Sequence, residues 1–279
     1  PICVGAGDQN CSVLGMGAVE PGMGTVTLGT AGLAIRCAAR PVDGFGGMMI
    51  TNHAAPGRWQ VEGLSNAAAS SLRWFRDVVA THEREIEAQG GPPAYRQLDA
   101  LAAAAPAGSK GLLYLPYLAT AATPHWNADA RGAFVGLSFA HGRAELTRAV
   151  MEGVALEIRD IIQQWLQAGM ELRSLRIGGG AAKSRLWSQI QADVYGCPVQ
   201  TLACDDSTGL GAAMLAGVGA GVFASIDEAV DRMVRVGDTI DPDPQRHALY
   251  ESLYAAYVAA YQGLAGGAFP ILARIQTQA

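Results

Sequence analysis

The chain has 279 residues, 35 of them Gly, with 50% hydrophobic and 16% charged residues and a net charge of −5. Gly at about one residue in eight, against an ordinary share of about 7%, has no triplet period, and Pro numbers only 13, which excludes collagen and low-complexity disorder. The acidic balance, without any Lys/Arg-rich run, argues against nucleic acid or an anionic membrane surface as partner.

The first block, Ile2-Cys3-Val4 followed by Gly5-Ala6-Gly7-Asp8, predicts a strand, a turn and a helix. Residues 25–28 and 33–37, joined by Gly29-Thr30-Ala31-Gly32, predict a hairpin, and residues 48–52 and 59–62 continue it as a meander. From Ser65 to Gly90 the spacing is helical, with Leu72, Phe75, Val78 and Val79 on one side. A short helix over 95–104, a strand over 112–115, an irregular loop over 120–131 and a strand over 133–137 follow. The strongest helix signal is 144–168, where Leu146, Val150, Val154, Ile158, Ile161 and Trp165 recur every three or four positions.

Beyond it the spacing predicts a strand over 172–177, the turn Gly178-Gly179-Gly180, a helix over 184–195 and a strand over 199–202. The uncharged stretch 208–226 carries one apolar stripe backed by Gly and Ala. It predicts a buried helix packed closely on a sheet rather than a membrane span. A last helix covers 247–264. The order implies an α/β domain with a mixed sheet covered by helices. Five scattered cysteines (Cys3, Cys11, Cys37, Cys197, Cys204) contain no CxxC, so neither a zinc site nor a disulfide scaffold is indicated. Free thiols, and an N-terminus without the charged region of a signal peptide, fit a cytoplasmic protein.

Three Gly-rich turns are each placed after an expected strand: Gly5-Ala6-Gly7, Gly29-Thr30-Ala31-Gly32 and Gly178-Gly179-Gly180-Ala181. Such turns expose backbone N–H groups to which a phosphate can come close. None matches a standard fingerprint: Ala182 stands where a P-loop needs Gly before Lys183-Ser184, and no G-x-G-x-x-G follows a strand. Asp8 at the opening of a helix reads either as an N-cap or as a general base for phosphoryl transfer. His82, His125 and His141 lack any recognised metal or nucleophile setting and read as ordinary polar or capping residues.

Several segments together resemble the C-terminal half of the FGGY carbohydrate kinases, over nearly all of the chain. Gly5-Ala6-Gly7-Asp8-Gln9 is similar to the family's G-x-G-D-[QN] segment, and Thr27-Leu28-Gly29-Thr30-Ala31-Gly32 to its S-x-G-T-S-G phosphate hairpin. Gly63 through Arg73-Trp74 resembles its helix entry. Gly132 to Leu137, followed by Glu145 to Glu152, resembles a family signature. Gly178-Gly179-Gly180-Ala181 with Leu186-Trp187-Ser188 resembles the adenine-side motif.

The resemblance implies an actin-like ATPase, ribonuclease-H-like fold that binds ATP with magnesium and phosphorylates a sugar or polyol, a xylulose-like ketose first. It implies Asp8 as catalytic base beside the sugar, Gly29 and Thr30 at the transferred phosphate, and Gly179, Gly180 and Ser184 at the adenosine. Ala69 and Arg73 occupy helix positions that line the nucleotide site in relatives; no metal ligand is assigned to this chain. Residues 1–22 are expected to be the end of an N-terminal lobe and 23–279 the ATP-binding domain, which makes Pro1 a start in mid-protein. The partners implied are ATP, the sugar and the N-terminal lobe, with a homodimer left open.

Two departures stand out: Ala121-Ala122 replace the Glu-Arg of the family's G-E-R-T-P-H loop, and Ala69 replaces a frequent Gly. The alternative to a half-kinase is a non-catalytic actin-like module for nucleotide binding or assembly.

Overall fold

A computed structural model describes residues 2–42 and 46–278. Pro1, the expected mid-protein start, lies outside them. Helix α1 (Asp8–Gly15) leads into the hairpin β1 (Met23–Leu28) and β2 (Gly32–Ala38), then β3 (Met49–Asn52) and β4 (Trp59–Ser65). Helices α2 (Ala69–Val78), α3 (Thr81–Ala88) and α4 (Ala94–Ala104) follow, then the small hairpin β5 (Leu113–Leu115) and β6 (Ala133–Val135). The long helix α5 (Arg143–Gln167) precedes β7 (Ser174–Gly178), α6 (Arg185–Tyr195), β8 (Val199–Leu202), α7 (Ser207–Gly219) and α8 (Ile226–Met233). Strand β9 (Val236–Ile240) and helices α9 (Pro244–Ala265) and α10 (Ala268–Gln278) complete the described chain.

The main sheet has the order β3-β4-β2-β1-β7-β8-β9. Strands β1, β7 and β8 run parallel; β1/β2, β2/β4, β3/β4 and β8/β9 pair antiparallel. This is the expected mixed sheet. Alternation along the strands divides the core between two faces. Val26, Leu28 and Ala34 join the large cluster around α5, whereas Ile35 and Cys37 pack with Val13 of α1 on the other face. The sheet comes close to α5 at two glycines: a Cβ on Gly63 would fall 2.2 Å from Ile161 Cγ2, and one on Gly32 3.2 Å from Ile158 Cδ1.

Several sequence expectations are corrected. Residues 2–4 form no strand, so the turn at Gly5–Gly7 follows irregular chain. The single helix expected from Ser65 is two, α2 and α3, broken at Val79–Ala80. Helix α7 ends at Gly219, Gly221 adopts φ +75°, and Ser225 caps α8, its hydroxyl accepting from Glu228 N–H. Nor is α7 buried on the sheet. It crosses α1 so closely that a Cβ on Gly15 would fall 1.8 Å from the Ser207 carbonyl oxygen, and one on Gly211 1.9 Å from that of Cys11. The Ser12 and Ser207 hydroxyls meet across this crossing at 2.8 Å, while Ala212, Ala213 and Ala216 stay exposed.

Helix α5 carries buried charge as well as apolar residues. Glu152 accepts from Gly108 N–H (2.9 Å), Ser109 Oγ (2.7 Å), Arg148 Nε (2.7 Å) and Tyr250 Oη (2.6 Å). It thereby fixes a turn in which Gly108, Ser109 and Lys110 all have positive φ. One residue on, a Cβ on Gly153 would fall 2.2 Å from Tyr114 O. The signature segment is therefore a structural joint between α5, this turn and α9.

Glu157 lies deeper, accepting from Ser65 Oγ at 2.5 Å. Burial, reinforced by the charge of Asp160, raises its pKa from the usual 4.5 to about 8, the Ser65 bond opposing the shift. Between those values the unfolded chain ionises while the folded chain holds the proton, so stability falls as pH rises through the window and levels off above it. Glu157→Gln is expected to gain stability over wild type between pH 5 and pH 8, on the order of a few kcal/mol. Urea unfolding of both proteins at each pH measures this, other titrations cancelling in the difference. An equal difference at both pH values would remove Glu157 from the pH dependence.

Candidate functional site

The tip of the β1–β2 hairpin is held against the start of α2. The Gly29 and Thr30 carbonyls accept from the backbone N–H groups of Ala69 (2.9 Å) and Ser70 (3.4 Å), and Ser70 Oγ donates to Thr30 O at 2.7 Å. These contacts satisfy N–H groups of a helix whose N-cap, Ala68, has no side-chain acceptor. Gly29 N–H is spent on Ala31 O at 3.0 Å, which leaves exposed Thr30 as the forward residue of the tip.

Beside it ends β7, paired with β1 through Thr27↔Gly178. Gly179 has φ +80°, and a Cβ there would fall 2.5 Å from Leu28 O, so only Gly brings the two turns together. Gly180 has open space around its Cβ position. Ser184 then caps α6, accepting from Trp187 N–H at 3.1 Å and donating to Asp99 Oδ1 at 2.9 Å.

Two clefts flank this glycine turn. One, of about 440 Å³, is lined by Ala69, Leu72, Asp99, Gly180, Ser184 and Trp187 among others. The second, of about 540 Å³, lies along the ends of β7 and β8, where Lys183 pairs with Asp205 at 2.6 Å and Arg185 with Asp238 at 3.1 Å. Hairpin tip, Ala69, Gly179, Gly180 and Ser184 thus converge at the ends of the central strands β1 and β7. Arg73 does not join them: it is exposed and outside the lining of either cleft.

Asp8 borders a separate hollow of about 200 Å³ with Gln9, Ser12, Thr25, Thr27 and Thr208. The N-cap of α1 is Gly7, which corrects the capping alternative: Asp8 is the first helical residue, and its Oδ1 accepts from Gln9 N–H at 2.8 Å. With its amide nitrogen turned toward Glu62, Gln9 donates to both carboxylate oxygens, at 2.8 and 3.1 Å. Burial, and then the negative charge of Asp8, raise the pKa of Glu62. Glu62 and Asp99 carried no sequence signal of their own: Asp99 lies in an ordinary amphipathic helix and Glu62 in a strand.

The histidines make local contacts. His125 Nε2 lies 2.9 Å from Asp160, its ring stacked on Tyr261, and His141 Nδ1 accepts from Ser138 N–H at 2.9 Å. His82 is exposed on α3, and among the described residues no helix is long and apolar enough to cross a membrane.

Residues 24–220 match the model of the FGGY family of carbohydrate kinases, C-terminal domain. The chain belongs to that family, and its sheet with flanking helices is the actin-like, ribonuclease-H-like fold. It is 32% identical over 262 residues to a xylulose kinase of Staphylococcus epidermidis, covering 94% of this chain and 51% of that protein. It is 35% identical over 271 residues to an autoinducer-2 kinase of Escherichia coli, covering 95% and 51%. The crystal structure of xylulose kinase from Rhodospirillum rubrum superposes with a TM-score of 0.82 at 34% identity, covering 93% of this chain and 50% of that one. The chain thus spans about half the length of the curated relatives it matches.

Proposed function

We propose that this chain is the nucleotide-binding half of an ATP-dependent kinase acting on a sugar or sugar derivative, a xylulose-like ketose first among them. The observation that carries this is the convergence of the Gly29–Thr30 tip with the Gly179–Gly180 turn beside a 440 Å³ slot. The xylulose kinase relatives support the ketose, and their doubled length supports an N-terminal lobe as partner. Residues 1–22 would belong to the end of that lobe and 23–279 to the ATP-binding domain, with the joint at the crossing of α1 and α7.

In this scheme Ala69, Gly179, Gly180 and Ser184 hold the adenosine and Gly29 and Thr30 face the transferred phosphate, while Arg73, exposed on α2 and outside both clefts, is given no part. Asp8 takes the proton from the sugar hydroxyl, the role a positioned carboxylate has in phosphoryl transfer. Magnesium accompanies ATP in such reactions, but among the described residues no three His, Cys, Asp or Glu side chains converge to hold it. The steps assigned to this chain therefore leave the ion aside.

Calorimetry on the chain is expected to register weak ATP binding, and a coupled assay no sugar-dependent ADP release. Absence of heat with ATP would overturn the nucleotide site; turnover by the chain alone would overturn the division into halves.

A further inference from the structure

The cleft between α2, α4 and α6 has apolar walls in Ala69, Leu72, Ala181 and Trp187, which suit a flat ring. Its polar groups are mostly committed within the protein. The Trp187 indole N–H donates to Met151 O at 3.1 Å, and Ser184 Oγ both accepts from Trp187 N–H and donates to Asp99 Oδ1. Tyr95 and Arg96 are exposed and make no side-chain hydrogen bond among the described residues, and Asp99 is the half-buried group of the lining with an acceptor to spare. Its Oδ2 receives no donor among the described residues, and Arg96, which also lines the cleft, forms no ion pair with it. A half-buried carboxylate with one oxygen free to accept, set in an apolar slot, is placed to take a hydrogen bond from a ring bound there. Burial accordingly raises the Asp99 pKa, against the Ser184 bond that lowers it.

We propose that Asp99 selects the base of the nucleotide by accepting a hydrogen bond from the exocyclic amine of adenine. This rests on the nucleotide site proposed above and adds to it the residue that reads the base. A 6-oxo purine places a carbonyl oxygen where the amine would be, so acceptor faces acceptor and the carboxylate stays unpaired.

The test compares ATP with ITP by calorimetry on the chain and on two variants. Wild type is expected to bind ATP about tenfold or more tightly than ITP. Asp99→Ala is expected to bind the two within about twofold, since neither base then meets the carboxylate. In Asp99→Asn the Ser184 hydroxyl still claims the side-chain oxygen, which turns the NH2 toward the cleft, and the preference is expected to reverse in favour of ITP. If both variants weaken ATP and ITP by the same factor, Asp99 only anchors Ser184 and the proposal is overturned. The wild-type comparison alone overturns it if ATP and ITP bind equally, whatever the variants' folding. A wild-type chain that binds neither nucleotide would instead overturn the nucleotide site itself.

Discussion

In a protein containing both lobes, Asp8→Asn is expected to lower sugar-dependent turnover by about 10²–10⁴-fold while ATP affinity stays within about twofold. A sugar hydroxyl is a weak nucleophile, and the amide keeps the size of the carboxylate but cannot take its proton. The geometry makes the variant clean. Asp8 is exposed at the first position of α1, bonded only to the adjacent Gln9 N–H, and no buried network rests on it. Loss of its charge near a helix N-terminus removes about 0.3–1 kcal/mol of favourable dipole interaction, which thermal unfolding would register separately. ATP binding should be spared because the cleft proposed for adenosine and the Asp8 hollow have no lining residue in common. A variant keeping more than about a tenth of the rate would contradict the general-base role.

Glu152→Ala is expected to destabilise the fold by about 3–5 kcal/mol, the usual effect of stripping one partner from a buried ion pair. Arg148 would lose its carboxylate while retaining only the Ala105 carbonyl (3.2 Å), a long contact to that of Ala102 (3.5 Å) and the Tyr250 hydroxyl (3.3 Å). Gly108 N–H and Ser109 Oγ would be left without acceptors inside a turn of three consecutive positive-φ residues. Chemical denaturation measures the loss. A change under about 1 kcal/mol would mean that water or a neighbour replaces the carboxylate without penalty.

The parts of the fold that could be read from sequence are those governed by strong local chemistry. The hairpin follows from β-rich runs on either side of Gly29-Thr30-Ala31-Gly32, α5 from six apolar residues at helical spacing, and the end of β7 from three consecutive glycines. What could not be read depends on distant partners. Strand β9 is exposed along Val236 to Thr239 and shows no inward alternation; its pairing is set by β8, through Val199↔Ile240. Residues 2–4 have strand-like composition but no strand beside them, since Cys3 lies against α7 near Ala216 and Gly219. Helix α10 contains Pro270, a breaker in sequence that is harmless in a first turn, where no N–H is needed. For the candidate site, turn chemistry singled out the Gly-rich turns holding Gly29, Thr30, Gly179 and Gly180, which the fold brings side by side. Asp99 and Glu62 acquire their surroundings only when α4 meets α6 and β4 meets α1.

The crossing of α1 over α7 also bears on how the chain is made. Ser12 and Ser207, which meet there, are 195 residues apart. At about 5–20 residues per second on the ribosome, α1 emerges roughly ten to forty seconds before its partner. Eight residues are too few to persist as a helix alone in water. The segment bearing Asp8 is therefore synthesised first but seated only after α7 has been made, so a nascent domain can form its β1–β2 hairpin and α5 well before the carboxylate proposed to take the proton is in place.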